Sequence, residues 1–176
     1  AGVRTPMTAA SSTPALDAIA AAGIDHEVTR HGPVRSLEEA AEARGLEPRQ
    51  LLKTLVLRRA EGEYLFVLVP GDREISWPKL RALLGVNRVS MPDKDVAREV
   101  TGYERGTITP FGARPDPATG APWPVIADAL LVAREGPVSI GGGAHGVAAT
   151  VDPTQLAEVL DARIADVTEP LGRRDA

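Results

Sequence analysis

Residues 53–69, KTLVLRRAEGEYLFVLV, contain two apolar runs with a polar turn between them. Lys53 to Leu57 and Tyr64 to Val69 are rich in leucine and valine, which suits paired strands, and the Glu61-Gly62 pair between them favours a turn. The sequence therefore predicts a β-hairpin that begins at a lysine. A lysine at this strand start is notable because most cations of the chain are arginines, and a compact point charge differs from a planar guanidinium.

A second segment of interest is residues 101–112, TGYERGTITPFG, where glycines, threonines and a proline form a loop between two ordered segments. A cation beside a loop with many exposed backbone N–H groups would hold an anion or polarise an ester carbonyl. Two simpler interpretations stay open. Lys53 would then only extend its ammonium into water from a strand end, and the glycines and Pro110 would only form turns.

Helices and strands are predicted in an irregular order around the hairpin. Helix start signals stand at Thr13, Ser36, Ser76, Asp93 and Asp152. Further strands are predicted over residues 24–29, 86–91, 125–128, 138–140, 147–151 and 164–167. Without a regular βαβ alternation, we expect an α/β (mixed α+β) fold with a curled, barrel-like mixed β-sheet flanked by helices. We predict a disordered segment over residues 1–12, a single domain over 13–168 and a polar tail over 169–176.

The composition excludes several classes of site. The chain has 176 residues, 43% of them hydrophobic, which suits one globular domain. It has no cysteine, so disulfides, thiolate metal sites and a cysteine nucleophile are excluded. No apolar run approaches the length of a membrane span, and we expect a cytoplasmic protein with no membrane partner. The net charge of −4 argues against a long contact with nucleic acid, DNA included, and allows only a short local one.

No familiar catalytic motif is present. His26, His31 and His145 are scattered rather than spaced as metal ligands, so no metal or cofactor is expected. The run Gly141-Gly142-Gly143 favours a hairpin turn over a phosphate cradle, and His145 is interpreted as a surface histidine rather than a base because nothing near it in sequence would orient it. An enzyme without a triad or metal would act on a reactive bond such as an activated ester, by placing water or a substrate group against a polarised carbonyl.

Several segments, in this order, resemble the YbaK family, the freestanding relatives of the editing domain inserted in bacterial prolyl-tRNA synthetases. They are AEARGLEPRQLLKTLVL (residues 41–57), ISWPKLRALLG (75–85), VSMPDKDVAREVTG (89–102), TGYERGTITPFG (101–112) and SIGGGAHGVAATVDPTQLAEVL (139–160). The resemblance covers 13–167. Its most specific part is the Lys53-Thr54-Leu55 core followed by a Gly-x-x-x-Pro loop, carried by Gly106 and Pro110.

The resemblance implies a trans-acting aminoacyl-tRNA deacylase that hydrolyses the ester of tRNA-Pro mischarged with cysteine or alanine. The implied partners are the aminoacylated tRNA 3′ end and prolyl-tRNA synthetase. The implied catalytic residues are Lys53 and Gly106. The implied substrate-binding residues are Thr54, Tyr103, Thr107, Ile108, Thr109, Pro110, Gly142 and Asp128. Two other functions stay open, a non-catalytic module that binds tRNA ends or nucleotides and a hydrolase of small-molecule esters. The amino acid removed depends on pocket volume, which the sequence does not define.

Overall fold

The computed structural model describes residues 12–172. Its helices are α1 (Pro14–Ala22), α2 (Leu37–Arg44), α3 (Trp77–Leu84), α4 (Lys94–Thr101), α5 (Leu130–Ala133) and α6 (Pro153–Val159), with a 3₁₀ turn at Pro48–Gln50. Its strands are β1 (His26–Arg30), β2 (Leu52–Ala60), β3 (Glu63–Pro70), β4 (Arg73–Ile75), β5 (Val125–Asp128), β6 (Val138–Gly141), β7 (Val147–Val151), β8 (Arg163–Ala165) and β9 (Thr168–Pro170). The segment predicted to be disordered lies outside the described residues except for Ser12, as do residues 173–176 of the predicted tail.

The predicted helix starts are confirmed because the capping side chains accept the expected N–H groups. Thr13 accepts from the third residue beyond it at 3.0 Å, and Ser36 accepts from Glu39 at 3.0 Å. Ser76, Asp93 and Asp152 cap α3, α4 and α6 in the same way. Each cap satisfies an N–H group that the first helical turn would otherwise leave without a partner.

The described strands form three sheets, and the mixed α+β class is confirmed. The largest has the order β2-β3-β5-β8, in which the predicted hairpin β2–β3 is antiparallel and the β3–β5 and β5–β8 pairs are parallel. The second is the antiparallel sheet β1-β7-β6, and the third pairs β4 with β9. A single bridge between Leu51 and Ser139 links the two larger sheets. No closed barrel is found among the described strands, so a barrel-like curl stays a prediction.

The structure differs from the sequence prediction at short elements. The strand predicted over 86–91 is wrong, since only Ser90 pairs there, in an isolated bridge with Arg58. Strands β4 and β9 were not predicted, because three residues are too few to show an alternating pattern. Strand β9 carries ordered pairing to Pro170, into the segment predicted to be a polar tail.

The hairpin divides the core into two apolar clusters. Side chains alternate between the two faces of a strand. Val56, Phe66 and Leu68 belong to the larger cluster, which also holds buried residues of α1 and α6. Leu57 and Val67 belong to the second cluster, which α3 covers. Both faces of the hairpin are therefore fixed by packing, which leaves the outer edge of β2 as its accessible side. None of the helices in the described part of the chain is long and apolar enough to cross a membrane.

Candidate active site

A cleft of about 410 Å³ lies along the outer edge of β2, the edge strand of the largest sheet. Its lining includes Leu51, the residues Leu52 to Val56 of this strand, Met91 with Pro92, and Gly141 at the end of β6. The bridges at Leu51 and Arg58 bracket this stretch, and no described strand pairs with the β2 edge between them. The hairpin that the sequence predicts thus forms one wall of the cleft.

The cleft is positively charged although the chain carries a net charge of −4. Three cationic side chains line it, those of Arg44, Lys53 and Arg105, and no carboxylate of the described residues does. Charges of one sign inside a cleft raise the local concentration of ligands of the other sign. The cleft is therefore suited to an anionic ligand.

Lys53 is half-buried at the edge of the cleft. Its ammonium donates to the backbone carbonyl of Arg73, which fixes the side chain at the start of β4. Burial lowers the pKa of Lys53, and the nearby carboxylates of Glu74 and Asp72 act in the opposite direction. An ammonium has three N–H groups, and the other two have no acceptor among residues 12–172. They remain available for an anion or for negative charge that develops on a substrate.

The predicted loop brings Gly106 and Ile108 into the same cleft. Gly106 has a φ of +96°, a conformation that L side chains rarely adopt, and a Cβ added there would lie 3.3 Å from Cε1 of His145. Thr107 closes the turn, because its N–H and hydroxyl both donate to the carbonyl of Glu104, at 2.9 and 2.8 Å. The N–H groups of Gly106 and Ile108 have no acceptor in the described part of the chain.

Thr54 also lines the cleft, and its hydroxyl is buried. This hydroxyl has no hydrogen-bond partner within residues 12–172. Buried hydroxyls are nearly always paired, because desolvation without a partner costs about 1–3 kcal/mol. Thr54 therefore borders the cleft through its other atoms, and its hydroxyl becomes a candidate contact for a bound ligand only if the side chain turns toward the cleft.

Three other predicted loop residues lie outside the cleft lining, and their side chains stabilise the loop through internal contacts. Tyr103 is buried in the larger core cluster, its hydroxyl donates to the carbonyl of Phe111 at 2.7 Å, and burial raises its pKa to about 12. Thr109 is fully buried and accepts from the N–H of Phe111. Thr107 is buried as well, and its bonds to Glu104 are internal to the loop. These contacts favour a structural role over substrate binding.

Pro110, Gly142 and Asp128 also lie outside the lining. Pro110 borders a separate groove beside Trp123. Gly142 is buried, and its N–H donates to Val147 at 2.8 Å. Asp128 is 1% exposed, and its carboxylate accepts the N–H of Leu130 at 3.2 Å and that of Val167 at 3.1 Å. Asp128 is therefore a buried residue that stabilises the end of β5 through these hydrogen bonds.

His145 has a partner that its sequence surroundings do not show. Its Nε2 lies 2.9 Å from Oε1 of Glu104, and the two side chains are 71% and 59% exposed. The prediction of a surface histidine agrees with this exposure, but the ring has a carboxylate partner that was not predicted. The 41 residues between them conceal the contact in the sequence. The ring of His145 lies next to Gly106, with Cε1 3.3 Å from the position that a Cβ would take there.

Arg44 is a cleft residue that sequence reasoning missed. It ends α2, where a cation is ordinary because it complements the helix dipole, so the sequence offers no signal of a further role. In the structure its Nε donates to Nε2 of His31 at 3.2 Å, and its Nη1 donates to Oγ of Ser139 at 3.1 Å.

Comparison with known proteins identifies the family. A sequence model described as the aminoacyl-tRNA editing domain matches residues 31–159. The chain belongs to this family. The resemblance inferred from the lysine core and the glycine loop is thereby confirmed. Residues 31–159 include every cleft-lining residue named above.

The relatives of this editing domain include proline–tRNA ligases. That of Thermosipho melanesiensis is 34% identical over 88 residues, which are 50% of this chain and 15% of the ligase. That of Trichlorobacter lovleyi is 29% identical over 141 residues, which are 79% of this chain and 24% of the ligase. The editing domain thus corresponds to less than a quarter of the length of these enzymes.

Solved structures similar to the editing domain match it over most of its length. One is described as a candidate trans-editing enzyme for prolyl-tRNA synthetase, with a TM-score of 0.78 and 25% identity, covering 91% of this chain and 99% of that chain. Another, described only as a hypothetical protein, has a TM-score of 0.78 and 26% identity, covering 89% of this chain and 100% of that chain.

Proposed function

We propose that this editing domain is a trans-acting aminoacyl-tRNA deacylase that hydrolyses the ester of tRNA-Pro mischarged with cysteine or alanine. The observation that carries the proposal is the shared cleft of Lys53, Thr54 and Gly106, which is cationic in an acidic protein. Membership of the editing-domain family supports it. The activity would place the protein in the cytoplasm, with the tRNA 3′ end and prolyl-tRNA synthetase as its partners.

The cleft would bind only the end of the tRNA. Its volume of about 410 Å³ is suited to one nucleotide with its aminoacyl group rather than to a helix of RNA. An unstacked base at a single-stranded end is accessible to such a cleft, and the phosphate next to it is attracted by the lining cations. The remaining surface of an acidic protein would contribute little to RNA affinity, which leaves a role for the synthetase in delivery.

The loop and Lys53 would stabilise the charge that develops during ester hydrolysis. As a nucleophile adds to the carbonyl carbon, negative charge moves to the carbonyl oxygen, and the N–H groups of Gly106 and Ile108 would donate to it. The C–O bond to the ribose then breaks, and the ribose oxygen takes up a proton. Lys53 would stabilise the developing charge. The loss of one such donor typically raises the barrier by about 3–4 kcal/mol.

The nucleophile would be water or a group of the substrate. For a cysteinyl ester, the thiol of the substrate can attack its own carbonyl, which releases the tRNA without a protein nucleophile. The alanyl ester would need a water molecule. If its side chain turns toward the cleft, the buried, unpaired hydroxyl of Thr54 would contact either the substrate or that water.

A second function is favoured by one specific observation. The described lining of the cleft has neither a histidine nor a carboxylate, the usual general bases. A module that binds tRNA ends or nucleotides without turnover needs no such base. Hydrolysis of small-molecule esters is the third possibility, and it would use the same polarising groups.

The test compares the wild type with Lys53→Ala and Lys94→Ala on mischarged tRNA-Pro. Lys94 is an exposed lysine at the start of α4 and does not line the cleft, so it controls for the lost charge. We expect Lys53→Ala to reduce deacylation about a hundredfold or more and Lys94→Ala to leave it unchanged. Wild-type turnover by Lys53→Ala would contradict the assignment of Lys53 to the active site. Binding without turnover by the wild type would support the binding module, and hydrolysis of free esters alone would support the third possibility.

A further inference from the structure

Arg44 is a cleft cation that the fold anchors but does not neutralise. Two of its N–H groups donate to neutral side chains, those of His31 and Ser139. It forms no ion pair with any carboxylate among residues 12–172. A guanidinium has five N–H groups, so one on Nη1 and both on Nη2 have no acceptor in this part of the chain.

The partners of Arg44 hold it rigidly. Ser139 is fully buried, and its strand forms the bridge to Leu51 next to the start of β2. Ser139 therefore fixes the guanidinium close to the strand that carries Lys53. The side chain is anchored before any ligand arrives, which lowers the entropy cost of binding.

His31 is fixed through its own backbone. Its N–H donates to the carbonyl of Gly146 at 2.9 Å, and a Cβ added at Gly146 would collide with the carbonyl oxygen of His31. The ring Nδ1 lies 2.9 Å from the carbonyl of Gly32. With a hydrogen on Nδ1, the ring donates to Gly32 and its Nε2 accepts from Arg44. The glycine turn after β6 thus supports the Arg44 side chain from a second direction.

Without a ligand, the half-buried and unpaired charge of Arg44 lowers the stability of the fold. Burial lowers the pKa of Arg44, and its guanidinium forms no ion pair among residues 12–172 to compensate for the lost hydration. A ligand that brings a negative charge into the cleft would remove this penalty. The planar guanidinium offers parallel N–H groups that match two oxygens of a phosphate, a geometry that an ammonium lacks.

We propose that Arg44 binds the 5′-phosphate of the terminal nucleotide of the substrate through the N–H groups left free by His31 and Ser139. The inference rests on the proposed function, in which that nucleotide is the adenosine at the tRNA 3′ end. Arg44 would then position the ester against Lys53 and the loop without contacting the reacting atoms. It is a positioning residue, and the phosphate it binds is present in every substrate whichever amino acid is attached.

The test measures the affinity of 5′-AMP and of adenosine, two probes that differ by this phosphate, by NMR titration or calorimetry. We expect the wild type to bind AMP about tenfold or more tightly than adenosine, as the loss of a charge-assisted contact implies. Arg44→Met should bind the two equally, and Arg44→Lys should recover part of the preference. Arg98→Ala removes the same charge from an exposed position outside the cleft and should keep the full preference.

The outcomes separate this inference from the proposed function. Equal affinity of the wild type for AMP and adenosine would overturn the inference, and so would the full AMP preference in folded Arg44→Met. Neither result depends on turnover. Failure of the wild type to deacylate any charged tRNA, with the Arg44-dependent AMP preference intact, would overturn the proposed reaction and leave the phosphate site standing. If Arg44→Met does not fold, Arg44→Lys decides, since the loss of the bidentate contact should still weaken AMP binding while adenosine binding is unchanged.

Discussion

Replacing Thr54 by valine should stabilise the fold and impair the enzyme. The substitution keeps the shape of the side chain and removes a buried hydroxyl that has no partner within residues 12–172. The desolvation of such a group costs about 1–3 kcal/mol, so the free energy of unfolding should rise by about 1 kcal/mol, which corresponds to about 2–4 °C in Tm. If the hydroxyl contacts the substrate, deacylation should fall about tenfold.

Thr101→Val is the matched control. The hydroxyl of Thr101 is also buried, but it donates to the carbonyl of Ala97 at 2.8 Å and accepts the N–H of Tyr103 at 3.1 Å. Its removal leaves a buried N–H without an acceptor, and the free energy of unfolding should fall by about 1–3 kcal/mol.

Thermal unfolding and single-turnover deacylation of both variants test the argument. The expected pattern is a higher Tm with lower activity for Thr54→Val, and a lower Tm for Thr101→Val. A lower Tm for Thr54→Val would mean that the fold itself satisfies this hydroxyl, contrary to the prediction. A higher Tm with unchanged deacylation would refute its role at the substrate.

Three further predictions concern the cleft rim and its supports. Gly141→Ala should keep the Tm, because its Cβ would meet nothing closer than 3.6 Å, and should alter which amino acid the cleft accepts. Gly142→Ala should lower the Tm, because its Cβ would lie 2.7 Å from a valine side chain. Thermal unfolding and deacylation of a panel of substrates check both variants. Asp128→Asn should lower the free energy of unfolding by about 1–3 kcal/mol but leave the kcat of the folded protein near wild type, which denaturation and kinetics would show. The hydrogen bond from Arg134 lowers the pKa of Asp72 in the folded state. The stabilisation from Asp72 is therefore present above the unfolded pKa and is lost as the pH falls through the folded pKa. Asp72→Asn should lose less Tm on acidification than the wild type.

The sequence predicts the elements whose signals are local. The hairpin follows from two long apolar runs and a glycine turn, and the helices follow from capping residues that act within one turn. The strand predicted over 86–91 failed because Val86, Val89 and Met91 are apolar, yet only Ser90 of this segment pairs with β2, through Arg58. The short strands β4 and β9 depend on pairing with each other across the chain, which no local pattern reveals.

The candidate site was predicted in part for the same reason. Lys53 and Gly106 were identified because the family motif keeps them in a fixed order, and the structure brings both to one cleft. Tyr103 and Thr109 belong to the same motif, but their side chains are buried, because a loop with few backbone hydrogen bonds needs internal partners. Arg44 and the Glu104–His145 contact arise only from tertiary folding, so neither had a signal in the sequence.

The proposed editing activity is measured by deacylation of tRNA-Pro charged separately with cysteine, alanine and proline. Time courses with the wild type and Lys53→Ala would be compared with the spontaneous rate of ester loss. We predict rapid, Lys53-dependent loss of cysteine or alanine while the prolyl ester is spared. Loss of all three esters at the spontaneous rate would contradict it.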